Sequence, residues 1–175
     1  MIGFTMTPGR GDTDLLLATL ADDLQRRGLC VCGCVQINAE RLDGLPCDML
    51  VRALPTGIVY KISQDLGAGS RGCRLDANAL ESAVGDVTAA FERGADMLIL
   101  NKFGKHEAEG RGFRDLIGEA VYRGVPVLVG INDLNRPAFL EFAGDLAAPV
   151  QPTIEELRGW MLARTTTCAG VEDIV

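Results

Sequence analysis

Aromatic side chains are scarce: six Phe, two Tyr and one Trp in 175 residues. Ring stacking cannot dominate such an interior, so aliphatic residues and small thiols must fill it. Histidine is scarcer still, with His106 alone. A mixed His/Cys zinc site and a Ser-His-Asp triad would both hang on that one ring, so neither is expected and no metal site is assigned. Basic residues are outnumbered, 17 Lys and Arg against 24 Asp and Glu, for a net charge of −7. The long-range field repels nucleic acid and anionic membrane surfaces, which excludes them as general partners and leaves room for a local basic pocket. No apolar run has the length of a membrane span, and no basic segment precedes the apolar start at Met1 to Met6, so neither membrane insertion nor an export leader is expected. The expected compartment is the cytoplasm, where six cysteines stay reduced.

What is present is a regular alternation of short apolar runs and amphipathic stretches. IGFTM has strand length, and Leu16, Leu17, Leu20, Ala21 and Leu24 then mark one helical face that Gly28 ends, with Asp12 or Thr13 as cap. LCVCGCVQI reads as a strand covered on both faces, placing Cys30, Cys32 and Cys34 on one side as packed thiols. DMLVRALPTGIVYKISQ reads as two β-rich runs around Pro55-Thr56-Gly57, an antiparallel hairpin inserted at about residues 48–64. Asn78 and Glu81 have capping-box spacing ahead of the stripe Leu80, Val84, Val87 and Phe91. MLILN and VPVLVGI are buried-type strands. They flank a polar loop, FGKHEAEGRG, and a helix carrying Phe113, Leu116, Ile117, Ala120 and Val121. Asn135 with Pro137 starts a short helix, and Thr153 with Glu156 caps a last one. The fold class is α/β, a mainly parallel sheet flanked by helices with an inserted antiparallel hairpin. Residues 1–164 form the expected single domain, and 165–175 a C-terminal tail.

The loop after the first strand is where an α/β sheet usually binds its ligand. Met6-Thr7-Pro8-Gly9-Arg10-Gly11-Asp12-Thr13 matches a phosphate loop, G-x-x-x-x-G-K-[ST], at the second glycine and the hydroxyl. It departs at the first glycine, replaced by Met6, and at the lysine, replaced by Asp12. The strand MLILN would end such a site with a metal-binding aspartate, yet Asn101 and Lys102 stand there. One loop has lost a cation and the other has gained one. Lys102 either pairs with Asp12 or supplies the missing charge to a ligand. Asp12 and Asp14 can also occupy the helix amides as caps. A third loop, Gly67-Ala68-Gly69-Ser70-Arg71-Gly72, fits G-x-G-x-x-G but follows the hairpin, which is the wrong place for a dinucleotide fingerprint. Its Ser70, Arg71 and Arg74 are instead suited to clamp an oxyanion.

GDTDLLLATLADDLQRRG, ISQDLGAGSRGCRLD and MLILNKFGKHEAEGRGFRD, followed by VPVLVGI, resemble the bacterial family known as domain of unknown function 2478, from Met1 to about Gly144. The resemblance implies a relative of the phosphate-loop nucleoside triphosphatases, associated with molybdenum transport, and a nucleotide-binding or molybdenum-related accessory role. The leading expectation is a small-anion- or nucleotide-binding protein whose ligand is a nucleotide or a molybdate- or tungstate-type oxyanion. Gly9, Arg10, Gly11, Asp12 and Thr13 are its cradle, Asn101, Lys102 and Lys105 its second loop, and Ser70, Arg71 and Arg74 its clamp. Two alternatives stay open. One is an active triphosphatase using Asp12, Glu107 or Asp133 as metal ligands; the other is an interaction module with a vestigial site. The open partner classes are a second copy of the chain and a molybdenum-related protein.

Overall fold

A computed structural model describes residues 1–9, 11–39, 48–64 and 74–165. The four residues Met97–Leu100 are all buried, as are Val127–Gly130. Unbroken apolar runs of this kind are stable only between two helical layers, and that arrangement is found. The elements run β1 (Ile2–Thr5), α1 (Asp12–Arg26), β2 (Val31–Ala39), β3 (Asp48–Leu54), β4 (Val59–Lys61), α2 (Ala77–Glu92), β5 (Met97–Leu100), α3 (Lys105–Ala108), α4 (Arg114–Tyr122), β6 (Val127–Gly130), α5 (Arg136–Ala143), β7 (Ala147–Pro149) and α6 (Ile154–Leu162).

Among the described residues seven strands form one sheet, in the order β4-β3-β2-β5-β6-β1-β7. The pairings β1–β6, β1–β7, β2–β5 and β5–β6 are parallel. Those of β2–β3 and β3–β4 are antiparallel, so the expected hairpin exists and extends one edge of the sheet. The edge strand β7 was not expected from Ala147-Ala148-Pro149, residues with little β preference. Its backbone pairing with β1 overrides that preference, and Pro149 is tolerated because the strand lies at the edge.

On one face, Leu17, Leu20 and Leu24 of α1 join Leu157 and Met161 of α6 against Val31, Val35, Met97, Ile99 and Leu128. Burying each of those leucines contributes about 1.5–3 kcal/mol. On the other, α2, α4 and α5 cover Cys32, Cys34, Leu98, Leu100, Val127 and Val129. The cysteines of β2 thus share a face as packed thiols, and Cys30, Cys32 and Cys34 are free. Strands β2 and β5 meet unusually closely at Gly33, where φ is 131° and a Cβ would stand 1.9 Å from the carbonyl oxygen of Ile99. No helix among the described residues is long and apolar enough to cross a membrane.

Three local expectations are corrected. The N-cap of α2 is Asp76, whose side chain accepts a hydrogen bond from the Ala79 amide; Asn78 and Glu81 lie inside the helix. The polar loop after β5 contains α3, with His106 and Glu107 buried. At α1, neither Asp12 nor Thr13 is the cap. Gly11 is, with φ of 87°.

The chain leaves β1 through α1 toward β2 in one direction along the sheet. It returns through β5, β6 and β7 in the other. The carboxyl end of β1 is therefore a topological switch point, the usual ligand crevice of an open α/β sheet.

Candidate functional site

At that switch point the loop after β1 is held by its own hydroxyls. The Thr7 amide donates to Thr13 Oγ1 at 3.0 Å, and the two threonine hydroxyls are 2.7 Å apart. Gly11 takes the left-handed turn into α1, and no side chain caps the helix. The expectation that Asp12 and Asp14 occupy the helix amides is corrected, because each carboxylate is turned elsewhere. Asp12 folds back over the loop, so that a Cβ on Gly9 would lie 1.8 Å from its Oδ2. Asp14 points inward and is only 8% exposed. The positive end of the α1 dipole is left without a side-chain cap, the arrangement that receives anions at helix starts.

The second loop adjoins the first. Asn101, at the end of β5, donates from Nδ2 to Asp14 Oδ1 at 2.9 Å and lies 3.4 Å from Gln36 Oε1. Because a carboxylate only accepts, Asp14 fixes which way the amide points. Asn101 Oδ1 and Thr5 Oγ1 are both buried at the strand ends, with no hydrogen-bond partner among the described residues. Such open valences are rare in folded proteins. Lys102 is exposed beside Asn101. The direct Asp12–Lys102 ion pair is not formed among the described residues, and Asp12 lies against Gly9.

The conventional donors for a divalent metal do not fit here. The strand end offers an amide in place of a carboxylate, and the Thr13 hydroxyl is tied to Thr7. Among the described residues no three His, Cys, Asp or Glu side chains cluster to hold a metal ion.

Glu107, in the segment that reads as a polar loop, is fixed in place. It is 4% exposed, and its carboxylate accepts from the Gly104 amide at 2.8 Å and from the Phe113 amide at 3.3 Å. Both its oxygens tie the loop. His106 Nε2 lies 2.9 Å from Glu81 Oε1, which also accepts from the Gly112 amide. Burial, with the Glu107 charge nearby, pushes the Cys34 thiol up to about 12. Burial, with Cys30 beside it, does the same to Cys32.

Of the remaining expected site residues, Lys105 is exposed and 3.5 Å from Glu109. Arg74 is half-buried beside the Ser63–Leu75 bridge and donates to the Gln64 carbonyl at 3.4 Å. Asp133 is exposed after β6. Arg10, Ser70 and Arg71 lie outside the described residues. The site members that sequence reading missed are Thr7, Asp14 and Gln36. Asp14 had a legible signal: it continues the buried stripe of Leu17, Leu20, Ala21 and Leu24, and a carboxylate on such a stripe needs a partner.

Residues 2–160 match the family described as Protein of unknown function (DUF2478). The chain is 36% identical over 151 residues to the molybdenum import ATP-binding protein ModC 2 of Bradyrhizobium diazoefficiens, covering 85% of this chain and 17% of that protein. The crystal structure of THEP1 from the hyperthermophile Aquifex aeolicus matches with a TM-score of 0.64 at 18% identity, over 92% of this chain and 99% of that one. The fold is phosphate-loop NTPase-like.

Proposed function

The chain belongs to the family described as Protein of unknown function (DUF2478), and from that premise we propose that it is a small-anion- or nucleotide-binding accessory protein with a degenerate phosphate loop, serving molybdate or tungstate handling. One observation carries the reading. At the carboxyl end of β1, α1 starts on a left-handed Gly11 with no side-chain cap, a helix start at which an anion is favoured. Gly9 to Thr13 supply the backbone cradle. Lys102 and Lys105 supply charge, and Ser70, Arg71 and Arg74 the clamp. The open valences on Asn101 and Thr5 support a ligand at the same strand ends. The molybdenum context comes from the relative named for molybdenum import, of which this chain spans 17%. Asp12 beside the cradle, and Asn101 in place of a metal-binding carboxylate, favour binding over hydrolysis.

Calorimetric titration with ATP, GTP, phosphate, molybdate and tungstate tests the proposal. Heat is expected from at least one of them, weakened about tenfold by Lys102→Ala through loss of one charge-assisted contact. The absence of heat from all five ligands overturns it.

A further inference from the structure

A trough of about 840 Å³ runs between α2 and α4, on the face of the sheet opposite α1 and α6. We propose that it receives an extended basic segment of a partner protein, carrying two lysine or arginine side chains three positions apart. The inference is independent of the anion site after β1.

Two joints define the trough. At one end Glu81 Oε1 accepts from the Gly112 amide at 3.0 Å, just ahead of α4. At the other, the Arg123 guanidinium lies 5.3 Å from the centre of the Phe91 ring. The joints are ten residues apart along α2 and eleven along α4, so the helices run parallel and in step. At 1.5 Å per residue the span between the joints is about 15 Å. Val84, Phe91 and Leu116 lie along the trough, but Phe91 and Leu116 are only 2% and 5% exposed. Little bare apolar surface remains for the face of an amphipathic helix.

Charge selects the occupant. Of the cations on the walls, Arg111 pairs with Glu109 and Arg123 with Glu119. Glu92 and Asp115 are exposed and make no ion pair among the described residues. The trough thus presents two uncompensated carboxylates in a chain of net charge −7, which favours a cationic partner. Asp115 stands on the α4 wall near one joint and Glu92 on the α2 wall near the other, about 12 Å apart along the trough. In an extended chain, side chains three positions apart point to opposite sides and are about 10 Å apart, so such a pair meets both walls. The methylene stems lie over Val84 while the charged heads reach the carboxylates. Asn78 and Thr88, on the α2 wall, offer an amide and a hydroxyl to the peptide backbone.

Amide NMR shifts in the full chain read the binding of Ala-Lys-Ala-Ala-Lys-Ala, blocked at both ends, at about 0.15 M salt, where diffuse attraction is screened. Shifts are expected along the trough faces of α2 and α4, with the glutamine counterpart of the peptide binding about tenfold or more weakly. The double variant Glu92→Gln/Asp115→Asn, its fold checked by thermal unfolding, is expected to weaken the lysine peptide about tenfold. Glu155→Gln, at an exposed position of α6, should leave it within about twofold. The absence of shifts, shifts outside the trough, equal binding of the glutamine peptide, or binding untouched by the double variant each overturn the inference. A diaminooctane with an ammonium group at each end carries the same charges without a backbone, and its binding as tightly as the peptide overturns the peptide occupant.

Discussion

Asp12 and Asp14 are the same residue two positions apart, with opposite fates. One lies exposed over the loop. The other turns into the protein to meet an amide from a strand 87 positions away. Environment likewise decides the behaviour of Cys32 and Cys34. Both thiols are pushed up to about 12 from an ordinary value of 9.0, chiefly by burial. In the unfolded chain they ionise near pH 9, whereas in the native protein they resist ionisation until about pH 12. The stability they contribute is therefore fully present below pH 9 and is lost as pH rises through that window. Urea unfolding from pH 8 to pH 10.5 should show a falling midpoint, and the fall should be shallower in the Cys32→Ala/Cys34→Ala double variant. Parallel curves for the two proteins would assign the alkaline loss to other groups.

Among the elements, those with a clear period were legible. β1, β2, β5, β6, the hairpin, the apolar faces of α1 and α4, and the Thr153 cap of α6 all follow from local pattern, and the structure places them as read. Where two local signals competed, reading failed. Asp76 outcompeted Asn78 as the cap of α2 because its side chain reaches the Ala79 amide. The segment FGKHEAEGRG looked like solvated loop because its residues are polar, yet Glu107 and Glu81 collect its backbone amides into a fixed corner. Removing half of that grip is a test at this scale. Glu107→Gln leaves one acceptor oxygen for two amides and is expected to cost about 1–3 kcal/mol in urea unfolding. Faster hydrogen exchange at Gly104 and Phe113 should accompany it. Unchanged stability and exchange would show that the carboxylate does not hold the corner.

For the whole molecule, the two hydrophobic clusters share a single sheet, so neither helical layer can leave without exposing strands that the other needs. Unfolding should be one cooperative transition. The lone tryptophan makes this measurable: Trp160 packs on Gly3, where a Cβ would come within 2.8 Å of its ring, so its fluorescence reports on α6 against β1. Far-UV circular dichroism reports on all the helices. The two transitions are expected to coincide, and separate midpoints would reveal α6 as an independent unit. By itself the sequence determined the alternation of strands and helices, the faces they bury and the aspartate that stands before Thr13, because each is written in residues within a few positions of one another. Only the tertiary structure decided the strand order, the added edge strand, the inward turn of Asp14 to Asn101, the folding of Asp12 over Gly9, and the trough between α2 and α4. Apart from the turn of Asp12, each of these joins segments distant along the chain, and spacing within a segment carries no record of which distant partner its side chains will meet.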